Sequence, residues 1–362
     1  MVGLSARGYE YLRSGSSGVF PPIFRAGMGK ANLDDPPRDR WEPKFQKALH
    51  AILLLAHDNI GELTRELSLL FERDQVDQFA EVSSEMGFAI QNGKDKVIEH
   101  FGYRDGISQP LFFQSDLRKR HKQWDPSAGP SLVLVKDPLS RSRDACGTYF
   151  VFRKLEQNVK KFREREAALA SSLKLSAGER GVAGAMTIGR FLAGTPVAQH
   201  RDPTDRATND FVYSDCDPAG NRCPFFAHIR KVNPRNGPED RARRIARRGI
   251  TYGNPIWPSA DPDTLPETGI GLLFQCCQAD LREQFEFLQH CANARDCPTT
   301  GAGKDSLIGQ SVDGFPDLHF PTSWDSSKRA PFQLHGLVTM KGGEYFFVPS
   351  ISFLRGLRSG AH

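Results

Sequence analysis

Residues 147–169 read GTYFVFRKLEQNVKKFREREAAL, and this stretch predicts a strand that runs directly into a charged helix. Aromatic and β-branched residues come first, and a run rich in Lys, Arg, Glu and Ala comes after them. The same order returns at 271–293, where GLLFQCCQ predicts a buried strand and ADLREQFEFLQHCAN predicts a helix. A strand followed by a helix is therefore the recurring unit of this chain.

The first third of the chain carries a similar unit. HAILLLAHD at 50–58 predicts a buried strand, and NIGELTRELSLLFERD at 59–74 predicts an amphipathic helix with Asn59 as its N-cap. VDQFAEVSSEMGFAI at 76–90 predicts a further strand. Residues 14–45 are rich in Gly, Pro, Ser and charge, and they indicate an irregular surface segment. The first third is therefore α+β.

Long polar stretches divide the chain. Residues 111–145 form a connection with Pro and Gly, and we place the domain boundary there, which gives domains 1–120 and 121–362. A second irregular stretch covers 195–225, and irregular stretches of this length in a compact domain are usually functional or disordered. HGLVTMKGGEYFFVPS near the C-terminus predicts a hairpin with Gly342 and Gly343 in the turn.

Composition indicates a globular intracellular protein. The 362 residues suit two domains or one large one, and 39% are hydrophobic and 25% charged. No stretch approaches the roughly 20 apolar residues that a membrane helix needs, and no secretory leader is evident, so we expect a cytoplasmic protein without membrane association. The net charge of +5 is too weak by itself to indicate a nucleic-acid partner.

The cysteines indicate neither a zinc site nor a secreted disulfide framework. There are seven of them, an odd number, and no pair has C-x-x-C spacing. We therefore expect reduced thiols that are mostly buried.

Two acids stand in glycine-containing loops. Asp105 lies in GYRDG between Gly102 and Gly106, and Asp305 lies in GKDSLIGQ at 303–310. By itself each acid is typical of a turn, because Asp side chains bond their own backbone. The alternative for Asp105 is a reactive acid that glycines bring close to a ligand.

One histidine stands in an apolar setting. His228 lies in CPFFAHIRKVNPR at 223–235, after an aromatic pair and before a basic segment. Such a histidine is usually a hydrogen-bonded core residue, but one axial imidazole also suffices to bind haem iron. No C-x-x-C-H occurs, so any haem would be bound without a covalent link to the chain.

A basic cluster, RARRIARRG, occupies 241–249. It is open to three interpretations: a solvated helix face, a phosphate-contacting helix, or a segment from which one arginine points inward to stabilise an anion. Glycines lie in the next stretch, RRGITYG, which indicates that Arg247 and Arg248 lie where the chain leaves the helix.

Taken in order, GYRDG, CPFFAHIRK and RRGITYG resemble the dye-decolorizing peroxidase family, in its longer-loop class. GTYFVFRKL and GLLFQCCQ also resemble that family, and the similarity runs from about residue 48 to the end. The ordered set, with Arg247 19 residues after His228, is far more specific than the acid loop alone.

The resemblance implies an α+β protein of two ferredoxin-like domains with antiparallel sheets and a haem b held mainly by the second domain. MVGLSARGYEYL resembles the family's second strand and the segment after that strand, so the opening strand and helix of the first domain are not found. That departure predicts a first sheet of three strands with an exposed edge.

The resemblance also implies roles for individual residues. His228 matches the iron ligand, Asp105 the acid on the opposite side of the haem, and Arg247 the arginine beside that acid. Asp305 matches a carboxylate that accepts the imidazole N–H of the ligand, with Asp280 as the alternative.

Leu272 and Phe274 match apolar residues that line the pocket where peroxide reacts. A pocket narrow enough for peroxide excludes a dye, so we expect electrons to reach the haem through a Tyr or Trp at the surface. The candidates are Tyr252, Trp257, Trp324 and Tyr345.

The implied function is a haem peroxidase that uses hydrogen peroxide to oxidise bulky organic reductants such as dyes and phenols. Two other functions stay open. A haem carrier would keep His228 without needing Asp105 or Arg247, and a nucleic-acid-binding protein would use the cluster at 241–248 and no haem.

Overall fold

The fold is taken from a computed structural model of the protein. It describes residues 1–73, 82–93, 96–113, 115, 124, 128–204, 206–257, 261–311 and 314–358. In chain order, the strands are β1 (Val2–Leu4), β2 (Ala51–Leu53), β3 (Ile90–Gln91), β4 (Val97–Ile98), β5 (Val135–Lys136), β6 (Cys146–Gln157), β7 (Ala246–Arg247), β8 (Ile250–Tyr252), β9 (Gly271–Gln278), β10 (Leu318–Pro321), β11 (Arg329–Phe332) and β12 (Val338–Val348).

Helices connect and cover these strands. They are α1 (Ala6–Leu12), α2 (Pro22–Ala26), α3 (Pro43–Gln46), α4 (Ile60–Arg73), α5 (Val159–Ser172), α6 (Arg180–Ile188), α7 (Tyr213–Cys216), α8 (His228–Val232), α9 (Pro238–Ala242), α10 (Phe287–Asn293) and α11 (Ile351–Arg358). A π-helix, Leu281–Glu286, leads directly into α10.

One eight-stranded antiparallel sheet organises the fold. Its order is β2-β1-β12-β6-β9-β7, with β5 also paired to β6 and β8 also paired to β9. The pairs β10–β11 and β3–β4 form two smaller sheets. The predicted α+β class with antiparallel sheets is confirmed. β1 and β2 share the large sheet with later strands, and the domain boundary near residue 120 stays a prediction.

The strand-helix unit at 147–169 is confirmed. β6 pairs with β12 on one side and with β9 on the other, so it is a central strand, and its residues 149–152 are buried. Asn158 then caps α5, because its side-chain oxygen accepts the amide of Lys161 at 2.9 Å. The strand at 271–278 and the helical segment after it are confirmed as well.

The predicted helix in the first third is confirmed, but its neighbouring strands differ from the prediction. Asn59 caps α4 by accepting the amides of Gly61 and Glu62. The segment at 50–58 is not a buried strand: only β2 forms there, at the edge of the sheet, and Leu53 is 51% exposed. An edge strand has unpaired backbone N–H and C=O groups along one side. Apolar composition alone does not show whether a strand lies at the edge or in the centre of a sheet.

The predicted strand at 76–90 is wrong over most of its described residues, although Ile90 begins β3. Residues 82–89 form no strand, and only an isolated bridge from Phe88 to Thr251 joins them to the sheet. The first part of that prediction, 76–81, lies outside the described residues.

The predicted C-terminal hairpin is wrong. β12 runs without reversal through Gly342 and Gly343 and pairs with β6 along its whole length. A bulge lies between Met340 and Gly342, where Gly342 has a φ of +145°. A side chain at Gly342 would collide with the ring of Phe45, so this glycine serves a close approach and not a turn.

Residues 14–45 are not the surface segment that their composition suggests. Their large apolar side chains pack against one face of the sheet, because Gly and Pro bring short helical turns down onto it. The buried residues of this segment are Phe20, Phe24, Met28, Leu33, Trp41 and Phe45.

The cysteine prediction is wrong in part. A disulfide joins Cys291 at the end of α10 to Cys297 in the following loop. The chain reverses direction after Asn293, which brings the two cysteines together. The spacing of six residues between them does not predict this reversal. Cys223 and Cys276 are free and buried as expected, whereas Cys146 is exposed.

No helix among the described residues has both the length and the apolar character to cross a membrane.

Candidate active site

A cavity lies against one face of the central strands β12, β6 and β9. The volume of this cavity is about 260 Å³. Alternate side chains of a strand point to the same face, so the three strands together supply one wall. The wall residues are Arg153, Leu155, Gln157, Leu272, Phe274, Val338 and Met340. Leu272 and Phe274, two of the predicted pocket residues, therefore line this cavity.

His228 and Asp305 meet at this cavity although 77 residues separate them. His228 begins α8, and its Nδ1 lies 2.9 Å from Oδ2 of Asp305. The other oxygen of Asp305 accepts the amides of Leu307 and Ile308 at 2.8 and 2.9 Å. Asp305 is 4% exposed. Both oxygens of its carboxylate are engaged, so the carboxylate has a fixed position and orients the imidazole ring.

Asp280, the alternative partner for His228, is engaged elsewhere. It is exposed and caps the π-helix, where its Oδ1 accepts the amides of Arg282 and Glu283 at 2.8 and 2.9 Å. This bonding reflects the ordinary preference of Asp for helix N-termini.

Asp105 and Arg247 form a second pair at the same cavity. Oδ1 of Asp105 accepts a hydrogen bond from Nη1 of Arg247 at 2.8 Å and another from the amide of Gly106 at 2.6 Å. Gly102 and Gly106 have φ values of +90° and +76°, which residues with side chains rarely adopt. The two glycines of GYRDG are therefore required by the backbone path that presents Asp105.

The surroundings of Asp105 favour its ionised form. Burial is the largest single influence on its pKa and raises it, because a desolvated carboxylate is costly. The charge of Arg247 and the hydrogen bonds from Gly106 and Arg247 together outweigh burial, and they lower the pKa below its ordinary value. Asp105 is consequently a proton acceptor at neutral pH.

Gln109 connects the loop of Asp105 to Arg247. The sequence analysis did not single out this residue. Its side-chain amide donates to the carbonyl of Arg247 and accepts the amide of Arg247, each at 3.1 Å. The two bonds tie the Asp105 loop to β7 across 138 residues. In the sequence, the position of Gln109 three residues after Gly106 is the one sign of a role at the site. No local pattern predicts that it bonds Arg247.

If the protein has the peroxidase function that the resemblance implies, replacing Gln109 with alanine is expected to slow the reaction with peroxide without removing its pH dependence. The pair would lose its tie, and a displacement of about 1 Å can cost roughly 10²-fold in rate. Asp105 itself would still titrate. The matched control is Gln46→Ala, because Gln46 also bonds two backbone groups but lies outside the cavity. Equal rates in the two variants would contradict a positioning role for Gln109.

Glu99 is a second residue that the sequence analysis missed. It lines the cavity, accepts the amides of Phe101 and Tyr103 at 2.9 Å each, and accepts a further bond from the side chain of Gln157. Burial raises its pKa. These bonds shape the turn that leads into Asp105.

The basic cluster at 241–249 is not a solvated helix face. α9 ends at Ala242, so most of the cluster lies outside a helix. The guanidinium of Arg243 lies 3.5 Å from the ring centre of Phe287, and Arg244 is buried. Arg247 is the arginine that points inward to an anionic partner. A phosphate-contacting helix at this position therefore has no support.

The four candidate electron relays differ in exposure. Tyr345 and Tyr252 are buried, at 1% and 6% exposed, and are not surface residues as predicted. Trp324 is half-buried, with its indole N–H bonded to the carbonyl of Val197. Trp257 is 46% exposed.

Comparison with known proteins identifies the family. No family model matches the chain. The chain is 41% identical to a multifunctional dye peroxidase of Amycolatopsis sp. over 98% of its length and 81% of the relative's. It is 30% identical to a peroxidase of Mycetinis scorodonius over 99% of its length and 76% of the relative's.

Solved structures agree with this similarity. A DyP-type peroxidase of Anabaena sp. superimposes with a TM-score of 0.88 at 38% identity, over 98% of this chain and 80% of that one. The Amycolatopsis dye peroxidase gives 0.88 at 39% identity, over 98% and 81%. The fold is the two-domain, ferredoxin-like α+β fold of these enzymes. The chain therefore belongs to the dye-decolorizing peroxidase family and is a peroxidase that acts on dyes.

Proposed function

We propose that the cavity binds haem b, with His228 as the iron ligand, and that the enzyme uses hydrogen peroxide to oxidise dyes and phenols. Members of this family are haem enzymes. The observation that carries the proposal is the presence of two separate pairs at one cavity. His228 with Asp305 suits an iron ligand and its orienting carboxylate, and Asp105 with Arg247 suits proton transfer and charge stabilisation.

The chemistry of the cavity fits a haem. Apolar side chains of β6, β9 and β12 offer a flat contact for a porphyrin ring, and Ile188, Leu307 and Ile308 add to the apolar lining. Asp305 engages Nδ1 of His228, which leaves Nε2 for iron. Among the described residues that line the cavity, His228 is the single histidine.

Donor groups in the cavity wall fit the carboxylates of a haem. Within the described part of the chain, the Nε–H donor of Arg153 is buried without a hydrogen-bond partner. Buried polar groups are rarely left unpaired, so this donor points to an acceptor group on a ligand. Arg190 is buried and also lines the cavity, and burial lowers its pKa to about 9, so it stays a cation at neutral pH.

When bound, the haem supplies an iron that peroxide oxidises and organic donors then reduce. Asp105 accepts the proton that peroxide loses on binding and returns it to the departing oxygen as water forms. Its Oδ1 is engaged by Arg247 and Gly106, so Oδ2 is the atom that holds the proton. Arg247 keeps its charge throughout and donates to the negative charge that grows as the O–O bond breaks.

Bulky donors are oxidised at the surface in this proposal. Trp257 and Trp324 are the candidates whose exposure suits contact with a dye. Tyr252 and Tyr345 are buried, so they suit only an internal step between the surface and the haem.

A purified protein with the Soret band of bound haem would exclude a nucleic-acid-binding protein that needs no cofactor. Peroxide-dependent bleaching of an anthraquinone dye would then separate the peroxidase from a haem carrier. Haem binding without bleaching would overturn the proposed enzyme and leave the carrier.

Replacing Asp305 with asparagine is expected to raise the Fe(III)/Fe(II) potential while haem stays bound. The carboxylate that accepts the imidazole N–H raises the basicity of the ligand, and an amide does so less. Redox titration followed by absorbance measures the change. Asp280→Asn is the matched control, since it removes a helix-capping carboxylate. A shift in the control but not in Asp305→Asn would transfer the role to Asp280.

A further inference from the structure

Lys231 lies one helical turn after the proposed iron ligand and is fully buried. It belongs to α8, as does His228, and residues three apart on a helix are neighbours. Its exposed fraction is 0%. A lysine is almost never fully buried without partners, because desolvating its ammonium is costly. Its partners therefore indicate what the residue is for.

All three hydrogen bonds of the ammonium go to one loop. Nζ donates to the carbonyls of Ala294 at 2.7 Å, Gly303 at 2.5 Å and Cys297. An ammonium has three donors, so its capacity is filled. Burial lowers the pKa of Lys231 to about 8, against the raising effect of Asp305 and Asp296, so the ammonium is the main form at neutral pH.

This loop, 294–303, leads to the carboxylate that contacts His228. It begins where α10 ends and runs directly into Asp305, whose amide bonds the carbonyl of Ala292 at 2.8 Å. The disulfide between Cys291 and Cys297 closes the first half of the loop, and the amide of Gly303 bonds the carbonyl of Arg295 at 2.8 Å across it. The loop is thus tied to α10 by the disulfide and to α8 by Lys231.

We infer that Lys231 and the Cys291–Cys297 disulfide form a clamp that holds Asp305 in register with His228. Lys231 acts on the iron ligand through Asp305 and is a positioning residue. His228 and Lys231 move together because they share α8, so fixing the loop to Lys231 also fixes the distance from Asp305 to Nδ1 of His228. This inference rests on the proposed haem ligation by His228.

The test uses the Fe–His stretching frequency of the ferrous holoenzyme at neutral pH, measured by resonance Raman spectroscopy. A strong hydrogen bond from imidazole to carboxylate strengthens the iron–nitrogen bond and raises this frequency. Lys231→Met is expected to lower it, because the loop loses three bonds to α8. The loss of peroxide reactivity should be smaller than the roughly 10- to 100-fold that accompanies loss of a direct partner of a metal ligand.

A double-variant cycle separates positioning from the simple loss of a charge. Lys231→Met should lower the frequency in the wild-type background but not beside Asp305→Asn, where the contact it positions is already gone. An equal shift in both backgrounds would show a direct effect of the ammonium and overturn the inference. If Asp305→Asn alone leaves the frequency unchanged, the proposed role of Asp305 fails instead.

The double variant Cys291→Ser, Cys297→Ser tests the clamp without altering the buried lysine, and it decides the question if Lys231→Met does not fold. It is expected to lower the frequency in the wild-type background and to have no effect beside Asp305→Asn. An unchanged frequency in the wild-type background would overturn the clamp. Lys154→Met is the matched control, because Lys154 is also buried but pairs with Glu42 and Glu85.

Discussion

Replacing His228 with alanine is expected to abolish stoichiometric haem binding and, with it, peroxidase activity. His228 is the one histidine among the described cavity-lining residues, and its Nε2 is the nitrogen that remains once Asp305 engages Nδ1. Without this nitrogen, the haem would be held only by its contacts with the cavity wall. The measurement is the molar ratio of haem to protein after purification and gel filtration.

Added imidazole provides a second readout for this variant. The deleted side chain leaves space beside Asp305, so imidazole should enter and restore part of the Soret band. His200→Ala is the matched control, because His200 lies outside the cavity lining. A wild-type spectrum and stoichiometry in His228→Ala, with loss of haem in His200→Ala, would reverse the assignment.

Replacing Asp105 with asparagine is expected to leave haem binding intact and to slow the reaction with peroxide by roughly 10²- to 10⁴-fold, the usual contribution of a general acid–base group. The amide preserves the shape of the side chain, but it has an NH2 group in place of one carboxylate oxygen and accepts no proton. Stopped-flow absorbance under excess peroxide measures the rate. Arg247→Leu should also slow the reaction, by roughly 10²- to 10³-fold, because the departing oxygen loses its positive partner.

The dependence on pH distinguishes the two variants. In the wild type, Arg247 and the amide of Gly106 outweigh burial and lower the pKa of Asp105, so the rate should fall only as the pH drops below the ordinary value of 3.8. Removing the charge of Arg247 leaves burial less opposed, so the acid limb should move to higher pH in Arg247→Leu. In Asp105→Asn the limb should disappear.

Arg206→Leu is the control for these variants, because it removes an exposed positive charge that lies outside the cavity lining. Its rate and acid limb should match the wild type. If Asp105→Asn reacts at the wild-type rate with the same acid limb, Asp105 is a turn-forming residue, which is the other interpretation its sequence allows.

Local sequence patterns predicted the elements that depend on near neighbours. β6 and α5 arise from a change of residue type at Asn158, and α4 arises from its amphipathic period and the cap at Asn59. Local patterns failed where partners were distant. Gly342 and Gly343 have the composition of a turn, but pairing with β6 over the full length of β12 keeps them in a strand.

By itself, the sequence determined the α+β class, the family resemblance and the kinds of residue at the candidate site, because periodicity and ordered motifs are local properties of the chain. Tertiary structure alone decided which residues meet. It joined Asp105 to Arg247 across 142 residues, brought in Gln109, and enclosed Lys231 within the loop before Asp305. Such contacts depend on how β6, β9 and β12 pair and on where each loop returns to the sheet. Residues so far apart in the chain share no short-range pattern that could reveal them.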